Sequence, residues 1–495
     1  MNAPCYTVRE PPRSVWREPA VWLAVLVALA LRAVALLLGA REPGPGMEIN
    51  NVRCAATLAS GRGFIMATGD AEQRAEPGGV DVIQMMKRLE ARGERIDAEH
   101  PYPRTTDGWI PVTVRPAGYP LLMSFFYRIG NYTGMVASMQ WMQVVLDALT
   151  CLLLFLFARN IFGRRGGIAA AWLYALLLPA IVQVLGFIPD TMSRFLAALI
   201  LCVASYARGG RAWAHLATGA AVGLAFHFRP EFLLIPAALF VVLWIERRRF
   251  WSCAGSLALM TAAVLVVLSP WVLWVYRTTH RVLLTTTSVG SNMYQALGQC
   301  PDNPWGIVLD DDLLTADAVR HGFRTAWDLD GSDYYYRRFR ECVRERPGYY
   351  ARLVLLHRLP YVLVPPYRKW GRVQSVFSDT RVKEGLPLWR AIPKYPGLFL
   401  RDKWLEILIT LMTLALLAGL VGSVFVLWRR WNLLAWLLLP WGYFVTTICL
   451  TKQVEARNIS AIIVVQTVAL AVVVVALLDR RQPTTSSPSL ATHAR

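Results

Sequence analysis

Long apolar runs separated by short arginine clusters decide what this chain can become. Residues 20–38, 138–158, 168–188, 252–275, 404–427 and 457–478 are each long enough, or nearly so, to cross about 30 Å of hydrocarbon. In hydrocarbon a backbone N–H or C=O finds no water, so such runs fold as helices that satisfy their own hydrogen bonds. Composition agrees: 55% of the 495 residues are hydrophobic and 17% charged. Soluble domains are nearer one half apolar and one quarter charged. The chain is therefore read as all-α and polytopic, one helical membrane domain with extramembrane insertions.

Arginine sets the topology. Basic clusters recur at Arg9/Arg13/Arg17, Arg159/Arg164/Arg165, Arg208/Arg211, Arg247/Arg248/Arg249, Arg429/Arg430 and Arg480/Arg481. The positive-inside rule places all of them in the cytoplasm, with spans alternating between them. The net charge of +19 sits largely in these clusters, where it orients the protein against anionic headgroups and carries no implication of nucleic-acid binding. Spans fall at about 20–39, 134–158, 167–187, 191–207, 212–228, 231–246, 252–275, 403–427, 432–450 and 457–478, about ten in all. The first is kept as an anchor, since no convincing small-residue cleavage site follows it. This count requires Pro116–Gly130, short and broken by Pro116, Pro120 and Arg128, to lie at the outer interface without crossing.

The expected organisation is a cytoplasmic N-terminus over 1–19, the first span over 20–39, and a first periplasmic loop over 40–133. A helix bundle over 134–275, a periplasmic region over 276–402, C-terminal spans over 403–478 and a Ser/Thr/Pro-rich disordered tail over 479–495 follow. The two long outer loops predict interfacial helices and a small mixed α/β region. Helical stretches are expected near Val82–Arg92, over Asp333–Glu345 and over Tyr349–Leu363. The Arg281–Thr287 run reads as β-like. Of the eight cysteines, Cys151, Cys202, Cys253 and Cys449 lie in spans and Cys54, Cys300 and Cys342 outside; a Cys300–Cys342 bridge is an option in an oxidising compartment. No His/Cys spacing suggests zinc.

The residues that carry chemistry sit on the outer side. Glu48 follows the first span, and Asp190 lies in the turn Gly186–Asp190 on the same side. Asp190 is either a helix N-cap or a site acid at the membrane edge. Arg115 is held extended before Pro116 and is either a snorkelling anchor or a phosphate contact at headgroup depth. Arg229 pairs with Glu231 or joins a pocket. Arg457 is a second phosphate ligand or an anchor. Tyr119, Asn292 and Tyr294 are pocket candidates. A carboxylate able to take a hydroxyl proton, beside a guanidinium able to hold a phosphate, suits chemistry on a lipid phosphate.

These residues also fall in a recognisable order. An acid at Glu48 leads into a helix with Ala55, Leu58 and Ala59 that ends in Gly61-x-Gly63-Phe64. Then come Arg115–Pro120, Phe-Gly-Arg-Arg at 162–165, Arg-Pro-Glu at 229–231, Pro-Trp at 270–271, Gly-x-Asn-x-Tyr at 290–294 and Glu-x-Arg at 455–457. In this the chain resembles the GT-C superfamily of polytopic glycosyltransferases, in particular bacterial relatives of the dolichyl-phosphate-mannose protein mannosyltransferases and the aminoarabinose lipid A transferases. It departs in having Glu48 and Asn51 where the family usually has aspartate and tyrosine, Arg-Pro-Ala for basic-Pro-Pro, and Trp274-Val275 for Arg-Asn. The resemblance implies a polyprenyl-phosphate sugar as donor, Glu48 as base, and Arg115 with Arg457 at the donor phosphate. Asp190 would position the acceptor or hold a divalent metal ion, the one cofactor candidate. The acceptor would be a lipid, polysaccharide or protein, and the location the bacterial inner membrane with the active site facing the periplasm. The rival expectation is a multi-pass transporter or lipid flippase, which would favour charges buried in mid-span and inverted repeats. No internal repeat is visible.

Overall fold

The structure, a computed structural model, describes residues 17–40, 42–44, 47–67, 82–103, 108–299, 302–307, 309–364, 404–451 and 460–481. Helix α1 (Pro19–Gly39) is followed by α2 (Met47–Ala59), β1 (Ile65–Ala67), α3 (Val82–Ala91), β2 (Trp109–Pro111) and the long α4 (Gly118–Phe162). Then come α5 (Arg164–Ala175), α6 (Leu178–Gln183), α7 (Asp190–Ala207), α8 (Ala212–Phe226), α9 (Ile235–Arg247) and α10 (Phe250–Thr279). The outer region holds α11 (Val289–Ala296), α12 (Asp311–Arg320), α13 (Leu329–Glu345), α14 (Pro347–Arg352), a π-helical turn (Leu353–Arg358) and α15 (Leu359–Leu363). The chain closes with α16 (Trp404–Leu427), α17 (Trp431–Thr451) and α18 (Ser460–Arg481).

Among the described residues seven helices are long and apolar enough to cross a membrane: α1, α4, α7, α10, α16, α17 and α18. The other three expected passes are shorter. The 167–187 run is two helices, because a proline at the start of α6 removes an i→i−4 hydrogen bond and stops α5 from running on. Helix α8, at 15 residues, reaches only about 22 Å at 1.5 Å per residue. It sits against α10 through Gly219 and Gly223, where an added Cβ would come within 2.2 Å of Met260 O and 2.7 Å of Val267 Cβ. Small residues four apart let two backbones approach closely where lipid offers no hydrophobic drive.

Helix α4 is two helices in one run. Gly130 and Asn131 have non-helical dihedrals, Asn131 at φ 56°. Before the break Leu121, Phe125 and Ile129 are all exposed, four residues apart and so on one face. Tyr119, Met123 and Tyr127 on the opposite face are buried. An apolar outer stripe over a packed inner face is how a helix lies along a membrane interface.

The strands lie in the first loop. β1 and β2 pair antiparallel, Ile65 opposite Pro111 and Ala67 opposite Trp109. The stretch expected near Val82–Arg92 is α3, with Val82, Ile83, Met86 and Leu89 buried against a core that includes Val52, Ala55, Tyr119 and Phe187. The β-like reading of Arg281–Thr287 does not hold: among the described residues of 276–364 no strand occurs. Thr287 N–H donates to Thr113 O at 3.0 Å, and its hydroxyl donates to Trp327 O at 2.8 Å. The run finds isolated acceptors and no neighbouring edge to build a ladder on. Helix α13 starts earlier than expected because Asp328 caps it, accepting Gly331 N–H at 2.7 Å. Cys342 is a buried free thiol, and Cys300 lies outside the described residues, as does the 482–495 tail.

The two ends of the bundle are knit by different chemistry. At one end Arg164 binds Glu18 at 2.8 Å, Arg165 binds Asp479 at 2.6 Å, and Arg208 pairs with Glu246. Arg247 joins this end, donating to Ser256 Oγ at 3.2 Å and to Ala207 O. At the other end the turns after α1, before α4, before α7 and after α8 meet.

Candidate active site

The meeting point is built by three contacts, each joining segments distant in sequence. Glu48 in the first turn of α2 is buried; its Oε2 accepts Gly44 N–H at 2.6 Å and its Oε1 accepts Phe187 N–H at 3.2 Å. One turn on, Asn51 Nδ2 donates to Phe187 O at 3.1 Å. Asn51, where the resembled family usually has tyrosine, thus helps to dock α2 on the turn that carries Asp190. Gly118 N–H donates to His227 O at 2.9 Å, so close that an added Cβ would lie 2.4 Å from that oxygen. This seats the Arg115–Tyr119 segment on the turn that carries Arg229. Arg229 then reaches across to Asp190 Oδ1 and also binds Glu231 Oε1 at 3.1 Å.

These contacts settle two of the alternatives. Pro189 stands at the N-cap of α7 and Asp190 is its first residue, with the Asp190 carboxylate turned to Arg229. Arg229 pairs with Glu231 as the structural option had it, and with Asp190 besides. Burial alone would lower the Arg229 guanidinium, but Asp190 and Glu231 beside it hold it above its ordinary value. One cation thus serves two acids. Asp190 is 1% exposed, and its Oδ2 is buried with no hydrogen-bond partner among the described residues.

Arg115 is half-buried. Its position shows in the Cys54 thiol on α2, which burial pushes up to about 11 while the positive charges of Arg115 and Arg53 pull it back. Arg115 therefore lies beside the helix that presents Glu48. Tyr119 is 2% exposed and belongs to the core under that helix. Asn292 and Tyr294 sit on α11 in the outer region, where Tyr294 packs its ring 5.1 Å from that of Tyr335. Glu48, Arg115, Tyr119, Asp190 and Arg229 thus come together, while Tyr294 turns into the packing of the outer helices. Arg457 lies outside the described residues. Among the described residues no group of three or more His, Cys, Asp and Glu side chains is placed to hold a metal ion.

A second polar cluster has no counterpart among the residues singled out from the sequence. Two of the apolar runs carry a charge near their middle: Arg32 lies within α1 and Asp147 within α4. Arg32 Nε donates to Asp147 Oδ2, and Arg194 of α7 donates through Nε to Asp147 Oδ1 at 3.0 Å. Tyr174 of α5 donates its hydroxyl to the same Oδ1 at 2.7 Å. Arg32 also donates to Ala175 O at 3.0 Å and Tyr174 O at 3.2 Å. All four residues are fully buried. Four helices, α1, α4, α5 and α7, are tied by one carboxylate, and α7 is tied one turn below Asp190. The signal was present, since an ionisable residue inside a span is by itself a reason to look.

Comparison with known proteins agrees with this architecture. Residues 114–274, which run from α4 through most of α10 and include Arg115, Asp190 and Arg229, match the family model described as dolichyl-phosphate-mannose-protein mannosyltransferase. No curated protein sequence matches the chain. Among solved structures, the Archaeoglobus fulgidus oligosaccharyltransferase tethered with an acceptor peptide aligns at TM-score 0.51 and 12% identity, covering 94% of this chain and 50% of that one. The oligosaccharyltransferase AglB of the same organism, in complex with an inhibitory peptide and a dolichol-phosphate, aligns at TM-score 0.46 and 11% identity, covering 94% of this chain and 51% of that one. The chain spans about half the length of these proteins. Its fold is thus similar to that of the oligosaccharyltransferase over nearly its whole length, and residues 114–274 match a mannosyltransferase family pattern.

Proposed function

We propose that this chain transfers a sugar, hexose or pentose, from a polyprenyl-phosphate donor to an acceptor hydroxyl at the end of the bundle opposite Arg164 and Arg208, by inverting in-line displacement. The observation that carries this is the convergence there of Glu48, Asp190, Arg229 and Arg115. Two carboxylates and two guanidiniums at the mouth of a helical bundle supply a proton acceptor and an anion holder at headgroup depth. The prenyl tail would lie between spans. The description of the matched family, which names a dolichyl-phosphate-linked sugar, supports the donor class. Arg115 would hold the donor phosphate as charge builds on it, with Arg457 the second candidate. The acceptor is a lipid, polysaccharide or protein, and the protein belongs in the bacterial inner membrane with this end facing the periplasm.

The experiment is mass spectrometry of envelope lipids and glycans with and without the gene. Loss of one sugar from one envelope component, with its polyprenyl-phosphate precursor accumulating, supports the reading; an unchanged envelope would remove its basis.

Topology gives a separate prediction. Cysteines introduced at the exposed positions Glu99 and Arg320 should react with a membrane-impermeant maleimide on intact spheroplasts, and one at exposed Arg248 only after lysis. Protection of Glu99→Cys or Arg320→Cys would put the site on the wrong side for a flipped donor.

One observation favours the transporter alternative. The Arg32–Asp147–Arg194 cluster is the mid-span charge that such a protein would carry. Both Asp147 oxygens are, however, already engaged by protein donors.

A further inference from the structure

We propose that Asp190, and not Glu48, is the general base of the transfer, with Glu48 acting as the clamp that positions it; this rests on the glycosyltransferase reading above. The two acids have opposite surroundings. Each oxygen of Glu48 accepts a backbone N–H, from Gly44 at 2.6 Å and from Phe187 at 3.2 Å. Those donors belong to two different loops. A proton arriving on Glu48 would loosen both bonds, and with them the seat of the turn that holds Asp190. Asp190 has one oxygen fixed by Arg229, while Oδ2 is buried without a donor among the described residues.

Three features hold that carboxylate in place and apart from bulk water. Arg229 divides its charge between Asp190 and Glu231. The carboxylate stands in the first turn of the 18-residue α7, where unpaired helix N–H groups favour an anion. One turn further in, Arg194 anchors α7 to Asp147, Tyr174 O–H and the Ala180 carbonyl. At 1% exposure the carboxylate is also shielded from bulk water that would compete with the acceptor.

The step is then complete in atoms and electrons. The acceptor oxygen bonds to the anomeric carbon as the bond from that carbon to the donor phosphate oxygen breaks. The electron pair leaves with polyprenyl phosphate, and the acceptor proton passes to Asp190 Oδ2 and later to water.

The test uses the full-length protein in nanodiscs with polyprenyl-phosphate sugars and acceptors extracted from the source membranes, and reads the initial rate of polyprenyl phosphate release. Asp190→Asn should lower the rate about 10²–10⁴-fold, and Glu48→Gln by about tenfold or less, with photo-crosslinking to donor retained in both. Because Asp190→Asn also strips Arg229 of a partner, the double variant Asp190→Asn/Arg229→Gln separates the roles. It should be no more stable than Asp190→Asn, because Glu231 then loses its guanidinium, and it should stay inactive. Recovery of turnover in the double variant, or a larger loss from Glu48→Gln than from Asp190→Asn, would overturn the assignment while leaving the glycosyltransferase reading intact. So would loss of the parent's activity on chelation with full return on adding Mn²⁺, which would make Oδ2 a metal ligand. Absence of release by the parent protein would instead strike at the glycosyltransferase reading.

Discussion

Asp147→Asn is expected to leave little folded protein. Its carboxylate lies between two guanidiniums, Arg32 and Arg194, and all three side chains are fully buried. Removing it leaves two charges facing each other in a membrane-embedded core, a change that costs about 3–5 kcal/mol when one partner of a buried pair is lost. That is a large part of the usual net stability of about 5–15 kcal/mol. Fluorescence-detected size exclusion after a temperature ramp should show a much lower midpoint or aggregated protein. Replacing all three charges together, as Arg32→Met/Asp147→Leu/Arg194→Met, should recover much of the loss, because exchanging a whole buried ion cluster for apolar side chains is often neutral or better. An Asp147→Asn protein that folds like the parent but loses function would mean that the cluster works as an intramembrane switch, as the transporter alternative needs.

The cluster also marks where the sequence stopped being legible. Apolar runs and arginine clusters predict spans because hydropathy averages over some twenty residues, and the same averaging hides Arg32 and Asp147 inside them. The break at Gly130–Asn131 was readable, because a short segment carrying Pro116, Pro120 and Arg128 is too interrupted for a plain span. Asp190 and Arg229 were each visible as turn residues. Their pairing was not, since it joins turns 39 residues apart that only the packing of α7 against α8 brings together. Local pattern misled at Arg281–Thr287, where a threonine-rich run had β propensity but no partner edge. The residues that in fact pair, Ile65–Ala67 and Trp109–Pro111, are three-residue pieces too short for periodicity to show.

Arg115→Ala is expected to lower transfer by about 10²–10³-fold, the range seen when one preorganised donor to a developing anion is removed. The residue lies beside α2, as its effect on Cys54 shows, and Pro116 keeps its backbone extended. Its charge would meet the donor phosphate most strongly as the bond to the sugar breaks, so the loss should fall on turnover as well as on donor affinity. Arg115→Lys keeps the charge without the two-pronged donor geometry and should lie between the parent and the alanine variant. Single-turnover rates with saturating polyprenyl-phosphate sugar, measured beside donor affinity, separate the two effects. If both variants turn over like the parent, Arg115 is an interfacial anchor and Arg457 becomes the residue to examine.

Proteoliposomes carrying the purified protein and radiolabelled polyprenyl-phosphate sugar, supplied with acceptors from the source membranes, test the central claim most directly. The account predicts that label moves from the donor to an acceptor and that polyprenyl phosphate is released in equal amount. Label that stays on the donor and only changes leaflets would contradict it, and would show a protein that moves glycolipids without cleaving them.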